Sequence, residues 1–172
     1  MGTRSHIGFR KGNEVRYIYV GHDGYGHGKT LKAIGRDECE KIWDAIGEAD
    51  ANGQRVWLDH LYTDEMFEKC SDKETQPTAR TPMVADDSNW SKKYLDDRGY
   101  TISGVIKVEG SCRINPVDIL EMYNDEGIAW MYDFDHDMVI FAGDPSWPDV
   151  KYMGFGYEIK EKFTRHHTYA AF

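Results

Sequence analysis

Hydrophobic and polar positions along the chain first alternate with period two and then switch to a helical period. His6 to Arg10 and Glu14 to Val20 read as the two arms of a β-hairpin, with Lys11-Gly12-Asn13 at its turn. Gly12 and Asn13 supply the positive φ angles that tight hairpins need. In the second arm Val15, Tyr17 and Tyr19 share one face while Ile18 and Val20 lie on the other. Apolar groups on both faces predict an interior strand. A glycine-rich loop, residues 21–28, leads into Lys29-Thr30-Leu31. From Asp37 to Ala49 the apolar residues Cys39, Ile42, Trp43 and Ile46 recur at steps of three and four, which predicts an amphipathic helix. Asp37 and Glu40 have capping-box spacing at its start.

Beyond the helix, Arg55 to Tyr62 reads as a strand. Residues 63–88 are polar, interrupted by Pro77 and Pro82, and are expected to form a long surface loop. A short helix is expected from Asn89 to Arg98, ending at Gly99. A strand follows from Tyr100 to Val108, then a short helix from Pro116 to Tyr123. Ile128, Trp130, Tyr132 and Phe134 line one face of a second hairpin that turns at Asp135-His136-Asp137 and returns through Met138 to Ala142. A last strand falls within Val150 to Ile159. No internal repeat is present, and the order never settles into βαβ alternation. The fold class expected is therefore α+β: a single domain over 1–172, a mostly antiparallel sheet with N-terminal and C-terminal hairpins, and two to three helices.

Composition narrows the classes of function. With 172 residues and 13% aromatics, the chain can bury a real core. A formal charge of −9 argues against direct nucleic-acid binding. Cys39, Cys70 and Cys112 are odd in number and form no CxxC pair, which suits free thiols in the cytoplasm. The opening lacks the apolar segment of a signal peptide, and no stretch reaches the roughly 20 apolar residues of a membrane span.

Several motifs come close to known chemistry without completing it. Gly28-Lys29-Thr30 after a glycine-rich loop has the layout of a phosphate-binding P-loop, yet Asp23 stands where the motif requires its first glycine. Asp133, Asp135 and Asp137 have calcium-loop spacing, but Met138 occupies the position reserved for glycine, so an Asp-rich hairpin turn is expected. His22, Asp23 and His27 share one loop, and His60 follows Asp59; imidazoles and carboxylates of this kind can hold a divalent ion. The two loop histidines are five apart, which is not a recognised ligand spacing, so no metal and no cofactor is expected. No Gly-x-Ser-x-Gly elbow is present, and no catalytic residue can be named.

The opening Met1-Gly2-Thr3-Arg4-Ser5, with Ile7, Ile18-Tyr19, Asp23-Gly24-Tyr25 and Gly28 to Leu31, resembles an uncharacterised family of small tailed-phage proteins. The hairpin around Trp130, Tyr132 and Phe134 is similar to that family's C-terminal part. The resemblance implies a phage or prophage origin and imports no activity. Three functions are compatible with the sequence. The first is a non-enzymatic interaction factor that binds a host or phage protein through surplus aromatic residues. The second is a small enzyme or ligand-binding domain centred on the loop 21–30, with His22, Asp23, Tyr25, His27 and Lys29 as binding residues, joined by distant groups such as His60 or Asp133. The third is an acidic nucleic-acid mimic.

Overall fold

A computed structural model describes residues 4–70, 80–85, 102–107 and 128–143, with strand segments at 157–158 and 168–171. The first two strands, β1 (Ser5–Lys11) and β2 (Glu14–Val20), pair antiparallel with Lys11 opposite Glu14. Gly12 and Asn13 alone make the turn, and Gly12 takes the left-handed φ of 56° that it requires. The remaining strands are β3 (Arg55–Leu58), β4 (Met83–Ala85), β5 (Ser103–Lys107), β6 (Ile128–Asp133), β7 (Met138–Gly143), β8 (Tyr157–Glu158) and β9 (Thr168–Ala171). They form one sheet in the order β4-β3-β2-β1-β6-β7-β9-β8, with β5 also on β2. Pairing is mostly antiparallel; β1 with β6 and β2 with β3 are the parallel pairs. The α+β class and both hairpins follow the sequence reading.

β2 is interior, as its two apolar faces predict. One edge carries β1, while the other is shared between β3 at Tyr19–Val20 and β5 at Glu14–Ile18. On one face, α1 (His27–Ala51) buries Leu31, Cys39, Ile42, Trp43 and Ile46 against Ile7, Phe9, Ile18, Val20, Leu58 and Trp130. Each fully buried side chain of this size contributes roughly 1.5–3 kcal/mol. On the opposite face, Tyr19, Trp57, Ala85 and Ile102 form a second apolar cluster, and Val15, Tyr17 and Met131 a third. No helix among the described residues is long and apolar enough to cross a membrane.

Three boundaries differ from expectation. The helix starts at His27, ten residues before Asp37, because the glycines there do not make a loose loop. A Cβ on Gly28 would lie 2.2 Å from the Trp130 ring, so glycine lets the first turn of α1 rest on that indole. Trp130 Nε1–H donates to the Gly24 carbonyl at 2.7 Å. The helix then breaks at Gly35, with φ 83° and ψ 175°, a conformation reserved for glycine. Asp37 and Glu40, expected as a capping box, lie just after this break inside α1, where the Glu40 carboxylate accepts from Lys11 Nζ. The strand read as Arg55 to Tyr62 stops at Leu58, whose carbonyl accepts from Gly21 N–H in the last bond between the two segments.

The third difference concerns the loop expected over 63–88. It contains a short helix, α2 (Asp64–Glu68), and the edge strand β4. Thr63 caps α2 by accepting the Met66 N–H on its hydroxyl. Within the strand expected from Tyr100 to Val108, β5 covers Ser103–Lys107, and residues 100, 101 and 108 lie outside the described residues. The helices expected at 89–98 and 116–123 lie outside the described residues, as does most of 150–159.

Candidate functional site

β2 and β3 run parallel, and α1 connects them, so this part of the sheet is a β–α–β unit. The chain leaves β2 through Gly21-His22-Asp23 and leaves β3 through Asp59-His60, side by side. In parallel units, ligands bind beside the carboxyl ends of the strands, where loops from different strands converge. Here two loops bring together two carboxylates and two imidazoles from positions 37 residues apart.

Asp23 adopts a left-handed conformation, φ 62°, one residue before the 3-10 turn Gly24–Gly26. Its Oδ2 lies 3.1 Å from His60 Nδ1. A carboxylate only accepts, so His60 donates from Nδ1, and in the neutral ring Nε2 then carries the lone pair. The bond to His60 is the main cause that holds the Asp23 carboxyl below its ordinary range; partial burial opposes it. His60 is almost wholly buried, between the rings of His22 (centroids 4.4 Å apart) and Tyr62 (4.7 Å). Its Nε2 is buried with no hydrogen-bond partner and stands 3.6 Å from Asp59 Oδ2. His22 Nδ1 lies 3.1 Å from Asp59 Oδ1 and 3.2 Å from the Asp59 carbonyl. Desolvation is the main cause that lifts the Tyr62 hydroxyl to about 12, and the Asp23 and Asp59 charges add to it.

No protein-family model, curated protein or solved structure matches this chain. Its site is therefore read from geometry alone.

His27 lies behind this cluster, fully buried in the first turn of α1, with its Nδ1 2.6 Å from Ser5 Oγ. Desolvation pushes its imidazole down to about 4; the His22 backbone and Asp23 pull the other way without reversing it. His27 is thus a neutral floor for the cluster rather than a solvent-facing ligand. Lys29 points away from the cluster, into a groove of about 460 Å³ that it shares with Gly26, Thr30, Thr63, Met66 and Lys69. The Tyr25 side chain lies outside the described residues.

Of the five binding residues expected from sequence, His22 and Asp23 line the cluster, His27 supports it and Lys29 does not take part. His60 joins, as a distant partner of the loop was expected to do. Asp133 does not: it sits at the other end of β1, 3.1 Å from Arg10. Asp59 is the residue the sequence reading left out of the site. It falls inside the strand expected from Arg55 to Tyr62; the signal that reveals it is the early end of β3 beside Gly21. The P-loop likeness fails at its first glycine, where Asp23 stands with its carboxylate on His60, and Lys29 lines a groove apart from that loop.

Proposed function

We propose that the protein is a small ligand-binding or catalytic domain whose working centre is the cluster of His22, Asp23, Asp59 and His60 on the loops after β2 and β3. The observation that carries this reading is His60: a ring buried and held by a carboxylate, with a lone-pair nitrogen left unpartnered beside Asp59. Buried polar atoms in folded proteins are nearly always satisfied, and an exception calls for an explanation such as a catalytic role or a bound water or ion. The Asp23-Gly24-Tyr25 element, one of the segments in the resemblance to small tailed-phage proteins, is the turn that carries the orienting carboxylate.

The alternative of an interaction factor that binds a host or phage protein drew on surplus aromatic residues. Tyr17, Tyr19, Trp130 and Tyr132 are buried, and Met66 is the exposed large hydrophobic residue among those described. The side chains of Tyr25, Trp147, Tyr152, Phe155 and Tyr157, on which that alternative also drew, lie outside the described residues.

The test is thermodynamic. Groups arranged for function rather than stability can be removed without loss, and their removal often stabilises. His22→Ala and Asp59→Asn should leave the urea midpoint unchanged or raise it. A loss above about 1 kcal/mol in both variants would mark the cluster as structural and overturn the reading.

A further inference from the structure

Resting on that reading of the site, we infer that the cluster binds a divalent transition-metal ion of the zinc class. His60 Nε2, Asp59 and His22 serve as ligands, and Asp23 acts as the residue that orients His60. One ligand atom from each of the three residues lies within 4.8 Å of the other two. Two ligand atoms bound at about 2.0–2.1 Å to a tetrahedral ion stand roughly 3.3 Å apart. Asp59 Oδ1 lies 3.1 Å from His22 Nδ1 and Asp59 Oδ2 lies 3.6 Å from His60 Nε2, so the carboxylate meets each imidazole through a separate oxygen at close to that spacing. His60 needs no change of tautomer, because Asp23 already holds its proton on Nδ1. On binding through Nδ1, His22 shifts its ring proton to Nε2.

Asp23 supplies the second, independent argument. A histidine that ligates a metal commonly donates its other N–H to a carboxylate, which fixes the ring and raises its basicity. Asp23 to His60 is such a pair, and the free nitrogen of the ring is the buried, unpartnered one. Charge agrees as well. Among the described residues, Asp23 and Asp59 are paired only with imidazoles, not with lysine or arginine. With those rings neutral the cluster carries two negative charges, which a dication balances. Nitrogen and carboxylate donors in this ratio suit zinc, cobalt or nickel better than calcium or magnesium, which prefer oxygen alone. Three protein ligands leave a fourth position for water or a substrate oxygen, as catalytic zinc sites do.

Untagged full-length protein, first stripped with chelator, should be titrated with zinc by calorimetry and with cobalt(II) by visible absorption. One equivalent should bind. The cobalt spectrum should show d–d bands of a four- or five-coordinate N/O site and no thiolate charge-transfer band. The last feature matters because Cys70 and the adjacent His166 and His167 could capture metal elsewhere. His22→Ala should abolish this binding; its ring is partly exposed, so the fold survives. Asp23→Asn should weaken zinc about 10- to 100-fold while keeping one site. Absence of binding up to millimolar zinc, or binding unchanged in His22→Ala, overturns the metal assignment. The two readings fail separately: stable His22→Ala and Asp59→Asn variants without metal binding leave a ligand centre of another kind, whereas destabilised variants remove the centre itself.

Discussion

Two regions of this protein are built from the same residue types and behave differently. The turn between β6 and β7 holds Asp133, Asp135, His136 and Asp137; the loops after β2 and β3 hold His22, Asp23, Asp59 and His60. In the turn, the carboxylates are engaged by several kinds of partner. Asp133 accepts from Arg10, from the Asp135 N–H and from His136. Asp135 accepts the Gly12 N–H, and Asp137 accepts the Tyr132 hydroxyl. In the other region the carboxylates meet imidazoles, and a buried nitrogen goes without a partner. The comparison teaches that a run of Asp and His does not by itself leave bonding capacity open. What sets the proposed centre apart from the turn is that cationic side chains and backbone donors have not already consumed that capacity.

Substitutions can break or sharpen this contrast. The largest effect is expected at the support of the open cluster. Gly28→Ala drives a methyl group into Trp130, and helix and ring must part, at about 3 kcal/mol by urea denaturation. Acid should act on the same floor with nearly equal strength. Unfolded histidine titrates near 6.5, whereas folded His27 resists protonation down to about 4. Its folded pKa is depressed, so its contribution is complete above pH 6.5. It declines by about 1.4 kcal/mol per pH unit below that, to a loss of about 3 kcal/mol by pH 4. Denaturation curves at pH 7 and 4.5 should show this slope in the native protein and a flatter one in His27→Asn.

In the satisfied turn, Asp133→Ala strands Arg10 and His136 and should cost about 2 kcal/mol, since Asp133 is buried. A cost below about 0.5 kcal/mol would erase the distinction between the two regions. The smallest effect separates the thiols. Burial is the main cause that raises the Cys39 thiol to about 12, so Cys39 should resist a thiol reagent in the native state while the partly exposed Cys70 reacts.

Much of the fold was legible where one local pattern dominates. Gly12-Asn13 marked the first hairpin, Asp135 to Asp137 the second, and the stripe from Cys39 to Ile46 the helix. The site was harder to see because it depends on distant contacts. Residues 21–28 read as a loop until Trp130, more than a hundred positions away, shows why Gly28 must lack a side chain. Asp59 read as part of a strand because nothing near it announces that β3 ends at Leu58. His60 was visible as a nearby imidazole, but its pairing with Asp23 needed the parallel register of β2 and β3.

The parallel pairing of β1 with β6 also has a consequence for synthesis of the chain. The N-terminal hairpin leaves the ribosome with the free edge of β1 unpaired, and its partner is encoded about 120 residues later. At roughly 5–20 residues per second that edge waits on the order of ten seconds for its neighbour. Throughout that interval the nascent chain presents an open template for β-pairing with other chains. The tryptophan that seats the start of the helix arrives with the same late strand, so the first turn of α1 gains its support only after residue 130 has been made.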